Sequence, residues 1–263
     1  MYPGPIVTMT KILDLFFSIR FLFLFLSTLF FTLMAFLFSW TKYTFLNRLN
    51  IDYYLMRLWG RSLTFIYGIK RVRNYKSAKD GKPGVYVAPH SSFWDIIVLG
   101  SELNGFFVSK AEVLKWPVIG LGAKFVRTVF IDRDKGVSAL KSMERSAEKI
   151  FKNGNSLIVF PEGTRSYDHM QNLKSGPFHV AMQTGCPIKP VIIKYEPRES
   201  IVPRIKGNFI KELFTQAQKV RNTKVIIERL PDIDPEGFKS ASELKDHVYN
   251  VMNAKWDKNS ISG

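Results

Sequence analysis

Val85-Tyr-Val-Ala-Pro-His-Ser-Ser-Phe-Trp-Asp95 is the stretch on which the reading of this chain turns. The apolar run Val85–Ala88 is bounded by Gly84 and Pro89, as a short buried strand is. His90 stands at the exit of that strand. Ser91 or Ser92 suits the N-cap of a helix read over Ser92–Leu103. Residues five apart do not share a helix face. His90 and Asp95 therefore meet only if His90 sits in the turn and Asp95 folds back from the first helical turn. Asp95 would then accept from one ring nitrogen and stabilise the imidazolium, leaving the other nitrogen as a base. Taken alone, the spacing reads more readily as a helix cap and a surface carboxylate than as a catalytic pair, so its surroundings decide.

Those surroundings repeat the strand-then-helix theme. Strands are predicted over Gly105–Ser109, Thr128–Ile131, Ser156–Phe160, Ile188–Lys194 and Lys224–Arg229. Helices are predicted over Val113–Phe125 (broken by Pro117), Ser138–Phe151, Gly176–Thr184 and Ala241–Trp256. Apolar residues at 137, 140, 143, 147, 150 and 151 follow the helical period, and Gly154 suits the stop. Residues 76–84 read as a polar loop, and 200–221 is ambiguous, with a helix near 209–220. Such alternation predicts an α/β fold, a mixed and largely parallel sheet flanked by helices.

Two of these strands deliver arginine at their ends. Val129-Phe-Ile-Asp-Arg133 ends on Arg133. Phe160-Pro-Glu-Gly-Thr-Arg-Ser166 follows the strand Ser156–Phe160. Gly163 allows backbone to approach a ligand closely. Arg165 offers a planar fork matched to phosphate oxygens, and Thr164 adds a hydroxyl. Glu162 would repel a phosphate, so orienting Arg133 or Arg165, or accepting from a hydroxyl, suits it better. Separately, each feature reads as a surface ion pair or an ordinary glycine turn.

Phe21–Trp40 is a run of twenty residues without charge, with seven Phe and six Leu. As a helix it is about 30 Å long, enough to cross a hydrocarbon core. It lacks the short apolar core and small-residue cleavage site of a signal peptide, so it is expected to be retained. Thr41–Tyr67 reads as a second helix, basic, aromatic and amphipathic, suited to a headgroup layer. The first helix either spans the bilayer or forms with the second a hairpin dipped into one leaflet. Residues 1–67 are thus read as membrane-anchoring helices and 68–263 as the α/β domain. Lys and Arg are denser after the run than before it, which places that domain on the cytoplasmic face of the inner or plasma membrane.

The chain has 263 residues and a formal net charge of +16, which suits an anionic membrane surface, an acidic protein or a polyanion. Nucleic acid is excluded as partner, because the aromatic residues concentrate in the apolar N-terminus instead of interleaving with basic ones on a strand platform. Cys186 is the single cysteine, so no intramolecular disulfide forms; it reads as core packing in a reducing compartment. None of the four histidines has metal-ligand spacing, so no metal is expected. No serine has a Gly-x-Ser-x-Gly setting, so the base is expected to act on a substrate hydroxyl directly.

Together these segments resemble the glycerolipid acyltransferase family, most closely its 1-acyl-glycerol-3-phosphate acyltransferases, over roughly residues 80–195. His90 to Asp95 resembles the H-x4-D block. Phe107-Val-Ser-Lys-Ala-Glu112, with Pro117 and Gly120, resembles the lysine-containing connecting segment. Phe130–Arg133 resembles the second block, Phe160–Ser166 the third, and Cys186-Pro-Ile-Lys-Pro190 the fourth. The resemblance implies transfer of a fatty acyl group from an acyl-carrier protein or coenzyme A thioester to the sn-2 hydroxyl of lysophosphatidic acid, giving phosphatidic acid. No cofactor beyond the thioester co-substrate is implied. His90 would be the base, Asp95 its orienter, and Arg133, Glu162, Gly163 and Arg165 the acceptor site. An oxyanion donor is sought in backbone N–H groups of the His90 turn or in Lys110. Two departures stand out: Arg127-Thr128 precede the second block where the family often has glycine, and Lys189 replaces an apolar residue. Both would add positive charge near the pocket. The alternatives are the same chemistry on another lysophospholipid or an amino-acid lipid, and a non-catalytic anionic-lipid binder, which would need no base.

Overall fold

The computed structural model describes residues 5–44, 49–75, 81–116, 118–166, 169–201 and 209–257. Part of the polar loop read at 76–84, the break at Pro117 and the stretch 202–208 lie outside them. Seven strands form one sheet in the order β1-β7-β6-β2-β5-β3-β4. They are β1 (Lys70–Asn74), β2 (Val85–Val87), β3 (Gly105–Lys110), β4 (Val129–Ile131), β5 (Ser156–Val159), β6 (Ile188–Glu196) and β7 (Lys224–Arg229). Every neighbouring pair is parallel except β6 with β7. The fold class read from the sequence is therefore the one observed.

β2 and β5 are buried at every position, as a central parallel strand covered on both faces must be. β1 was not anticipated. Its Lys70-Arg-Val-Arg-Asn74 has one apolar residue, and it lies at the sheet edge, where a mostly exposed strand costs little. Eight α-helices are described: α1 (Pro5–Phe38), α2 (Ile51–Ile66), α3 (Trp94–Glu102), α4 (Ile119–Phe125), α5 (Gly136–Lys152), α6 (Gly176–Thr184), α7 (Phe209–Lys219) and α8 (Ala241–Asp257). The region predicted as one helix over 113–125 is instead a 3-10 turn, Ala111–Lys115, followed by α4. Likewise the second N-terminal helix begins only at Ile51, after a 3-10 turn at Ser39–Tyr43 and a left-handed Asn50 with φ of 48°.

Right-handed crossovers put α3 and α4 on one face of the sheet and α5 and α6 on the other. The packing follows: α2 lies on α3, and α1 on α2 and α4, while α5 packs on α6 and α6 on α8. α1 and α2 form an antiparallel hairpin. Trp59 Nε1 donates to Thr28 Oγ1 at 3.2 Å, the Ser27 and Ser62 hydroxyls lie 3.4 Å apart, and Tyr67 donates to the Arg20 carbonyl at 3.2 Å. Tyr53, Met56, Leu63 and Tyr67 of this hairpin join the same hydrophobic core as the sheet. Trp94, wholly buried, meets the Tyr67 ring edge-on at 4.7 Å between centroids. The outer side of α1 is another matter. Leu22, Phe23, Phe25, Leu26, Phe30, Leu33, Phe36 and Leu37 are all exposed. The stretch Ile19–Thr41 is long and apolar enough to cross a membrane, and only 11% of its most apolar part is buried. An exposed apolar patch of this kind marks a surface that is covered in use.

Candidate active site

β2, β3, β4 and β5 are mutually parallel, so their carboxyl ends emerge at one edge of the sheet. His90 follows β2, Lys110 ends β3, Arg133 follows β4, and Glu162 to Arg165 follow β5. Ligands in open α/β sheets bind in the crevice outside these carboxyl ends. That edge opens into a cavity of about 300 Å³. Its polar end carries His90, Lys110, Arg133, Gly163, Thr164 and Arg165. Its apolar walls come from α1 and α2 (Phe31, Leu55, Met56, Trp59) and from Ile96, Ile119 and Val126.

His90 and Asp95 meet as the spacing required. His90 Nδ1 lies 2.9 Å from Asp95 Oδ2, and Asp95 is wholly buried. The same oxygen accepts the N–H groups of Ser91 and Ser92 at 2.7 and 2.8 Å. Ser92 Oγ in turn accepts from Trp94 N–H at 3.2 Å, but the residue at the N-cap is Phe93, which gives no side-chain cap, and not Ser91 or Ser92 as expected. The imidazole stacks on Phe160, centroids 4.1 Å apart and planes inclined by 15°. One ring nitrogen is thus committed to Asp95 while Nε2 is left for a reacting partner.

Glu162 does something other than the sequence suggested. Its carboxylate turns to neither arginine but accepts backbone N–H groups, from His90 at 2.7 Å and from Gln171 at 2.8 Å. The carbonyl of His90 accepts from Ser166 N–H at 2.8 Å. The segment 162–166 therefore grips the histidine's backbone from both sides. Glu162 is buried and lines no part of the cavity, which removes it from the acceptor contacts. Burial raises its pKa from an ordinary 4.5 to about 7, against the pull of the two amide donors. Between those values the folded chain holds a proton that the unfolded chain has lost. Its contribution to stability is then complete below about pH 4.5 and is lost as pH rises through about 7. Thermal midpoints taken from pH 4 to 8 are expected to fall across that window, and Glu162→Gln to flatten the slope; an unchanged slope contradicts the assignment.

Gly163 has φ of 76°, and a Cβ there would lie 2.5 Å from Arg133 Nη1. The close approach lets Arg133 donate to the Gly163 carbonyl at 2.9 Å. Arg165 is ion-paired with the buried Glu212 of α7. The same helix places Gln216, whose Oε1 accepts from Ser92 Oγ at 2.7 Å. α7, in the region left ambiguous by the sequence, thus holds both the histidine turn and an arginine. Its helical spacing of Ile210, Leu213, Phe214 and Ala217 was the signal available.

Two expectations are corrected. The amides of His90, Ser91 and Ser92 all donate to carboxylates, so none of these three is free to face an oxyanion. Nor do Arg127 and Lys189 add charge to the pocket. Arg127 pairs with Asp52 of α2, lies 5.2 Å over the Phe106 ring and holds φ of 56°, the left-handed region a glycine enters freely. Lys189 is buried against Asp232 at 2.9 Å. Neither lines the cavity. Among the described residues no group of His, Cys, Asp and Glu could hold a metal ion.

Residues 69–194 match the family model described as Acyltransferase. A 1-acyl-sn-glycerol-3-phosphate acyltransferase of Saccharomyces cerevisiae is 38% identical over 117 residues, 43% of this chain and 39% of the relative. A protein of that name from Limnanthes douglasii is 28% identical over 192 residues, 72% of this chain and 63% of the relative. A lyso-ornithine lipid O-acyltransferase of Pseudomonas aeruginosa is 36% identical over 130 residues, 49% of each chain. The chain thus spans less than two thirds of the length of these curated relatives. The crystal structure of the 1-acyl-sn-glycerophosphate (LPA) acyltransferase PlsC from Thermotoga maritima superposes with a TM-score of 0.62 at 25% identity, over 93% of this chain and 99% of that one. With the His90–Asp95 turn and the arginine-bearing strand ends on one edge of the sheet, the stretch 69–194 is what this chain has in common with the acyltransferase family.

Proposed function

We propose that this protein transfers a fatty acyl group from an acyl thioester to the sn-2 hydroxyl of lysophosphatidic acid, giving phosphatidic acid. The observation that carries the reading is the His90–Asp95 pair at the mouth of an apolar cavity whose polar end holds two arginines. His90 Nε2 takes the proton of the acceptor hydroxyl as its oxygen attacks the thioester carbonyl. The C–S bond then breaks and the departing thiolate takes that proton back from the imidazolium. Asp95 stabilises the imidazolium in between. Lys110, on the cavity wall, is the donor offered to the tetrahedral oxyanion. Direct transfer is supported by the serines beside the base. Ser91 and Ser92 are buried, and the Ser92 hydroxyl is spent on Gln216 and the Trp94 amide. The donor is a coenzyme A or acyl-carrier protein thioester.

The exposed apolar side of α1, continued by Tyr54, Leu58 and Phe65 on α2, lies in one leaflet of a membrane, the hairpin dipping with the α/β domain on its cytoplasmic side. The hairpin packs along the domain and shares its core, which favours that arrangement over a helix standing upright across the bilayer. An acceptor lipid then reaches the cavity from the leaflet in which its tail already sits.

Arg133 and Arg165 address the acceptor phosphate. Each hydrogen bond to an ionised group contributes about 1.5–3 kcal/mol. Arg133→Ala is therefore expected to raise KM for lysophosphatidic acid by about 10- to 100-fold with little change in kcat, and steady-state kinetics with varied acceptor check it. An unchanged KM removes Arg133 from the site. The identity to the lyso-ornithine lipid enzyme favours one second reading, an amino-acid lipid acceptor. Comparing lysophosphatidic acid with lyso-ornithine lipid at equal concentration separates them, and preference for the latter overturns the phosphate assignment.

A further inference from the structure

The hydrogen bonds on the Asp95 carboxylate are divided unequally. Oδ2 accepts three, from His90 Nδ1, Ser91 N–H and Ser92 N–H. Oδ1 accepts from the hydroxyl of Tyr195 at 2.7 Å. The two amides belong to the turn itself and hold one oxygen like a pivot. They do not fix the rotation of the carboxylate plane about that pivot. Tyr195 comes from β6, 100 residues further along the chain, and supplies the second point. Two points on two different elements define the plane, and with it the line from Oδ2 to the imidazole.

We propose that Tyr195 is a positioning residue for acyl transfer, its hydroxyl fixing the Asp95 carboxylate so that Oδ2 stays aimed at His90 Nδ1. This rests on the reading of His90 as the base. Tyr195 is buried and lines no part of the cavity, so it acts through Asp95 and not on substrate. Burial and the adjacent carboxylate push its pKa well above that of an ordinary tyrosine, so the hydroxyl stays protonated and remains a donor at any working pH. Without it, Oδ1 would be a buried carboxylate oxygen with no partner among the described residues, and the group would turn to find one. A turn of the carboxylate costs the imidazole its orientation, and a misplacement of that order lowers the rate without weakening binding.

Tyr195→Phe keeps the ring's shape and removes the donor. Partners that orient a reacting side chain typically contribute 10- to 100-fold, so kcat is expected to fall by about that factor with KM for both substrates within about twofold. In an Asp95→Ala background the same change is expected to cost less than about twofold, because the side chain it positions is gone. A merely structural tyrosine would lower the thermal midpoint while leaving kcat per folded molecule intact, and its effect would be additive with Asp95→Ala. Either of those results overturns the proposal. Should Tyr195→Phe not fold, Tyr195→Met fills the space flexibly and carries the same expectations. His90→Ala, assayed beside them, separates the two claims. Full activity there refutes the base itself, whereas full activity in Tyr195→Phe with an inactive His90→Ala refutes the role of Tyr195 alone.

Discussion

His90→Ala is expected to lower acyl transfer by on the order of 10²–10⁴ while leaving the protein folded. The loss is large because no other described side chain on the polar end of the cavity is a neutral base. Lys110, Arg133 and Arg165 are cationic, Thr164 is a hydroxyl, and Glu162 is turned away onto backbone amides. The fold should survive because what fixes the turn is backbone. The His90 amide is held by Glu162, its carbonyl by Ser166, and the Asp95 carboxylate keeps its bonds to Ser91, Ser92 and Tyr195. The stacking on Phe160 and the hydrogen bond to Asp95 are lost, each worth on the order of 1 kcal/mol. Circular dichroism and a thermal midpoint near that of the wild type, with kcat reduced and KM little changed, would agree. A rate within tenfold of the wild type would not.

Asp95→Asn is the second large effect, and the turn predicts how the asparagine sits. The amides of Ser91 and Ser92 both need an acceptor, so its oxygen takes the place of Oδ2 and its NH₂ faces the Tyr195 hydroxyl, which can accept. The hydrogen bond to His90 Nδ1 survives, and the tautomer with it. What disappears is the negative charge opposite the imidazolium that forms as the acceptor hydroxyl is deprotonated. That puts the loss on the transition state and not on the bound substrates. A fall in kcat of about 10²–10⁴ with KM unchanged is expected. A proportional rise in KM instead would mean that Asp95 shapes the pocket and does not serve the base.

The parts of this molecule legible in sequence are those set by local pattern. The apolar runs of β2 and β5 can only be buried strands, and parallel strands must place whatever follows them at one edge. That alone brought His90, Lys110, Arg133 and Arg165 to one cavity from positions up to 75 residues apart in the sequence. The Phe and Leu run announced its own exposure. What escaped is the set of contacts that join distant positions through a single polar atom. Glu162 meets the His90 amide across 72 residues, Tyr195 meets Asp95 across 100, and Gln216 meets Ser92 across 124. No periodicity announces these, because one glutamate on a strand end looks the same whether it faces an arginine, a ligand or a peptide group. β1 escaped for the opposite reason: an edge strand need not be apolar, and Lys70-Arg-Val-Arg-Asn74 carries no run to see. The odd residue Arg127, read as extra charge, is explained only by the Asp52 on α2 that meets it. It ties the α1–α2 hairpin to the strand that delivers Arg133.

Direct transfer to a lysophosphatidic acid hydroxyl leaves no acyl group on the protein at any stage. It is tested most directly by incubating the detergent-solubilised wild-type protein with a radiolabelled acyl thioester, of coenzyme A and of acyl-carrier protein in turn, with and without lysophosphatidic acid. Labelled phosphatidic acid is expected when acceptor is present with at least one of the two donors, and no label on the protein when acceptor is withheld. Label bound covalently to the protein, or no phosphatidic acid from either donor, would contradict it.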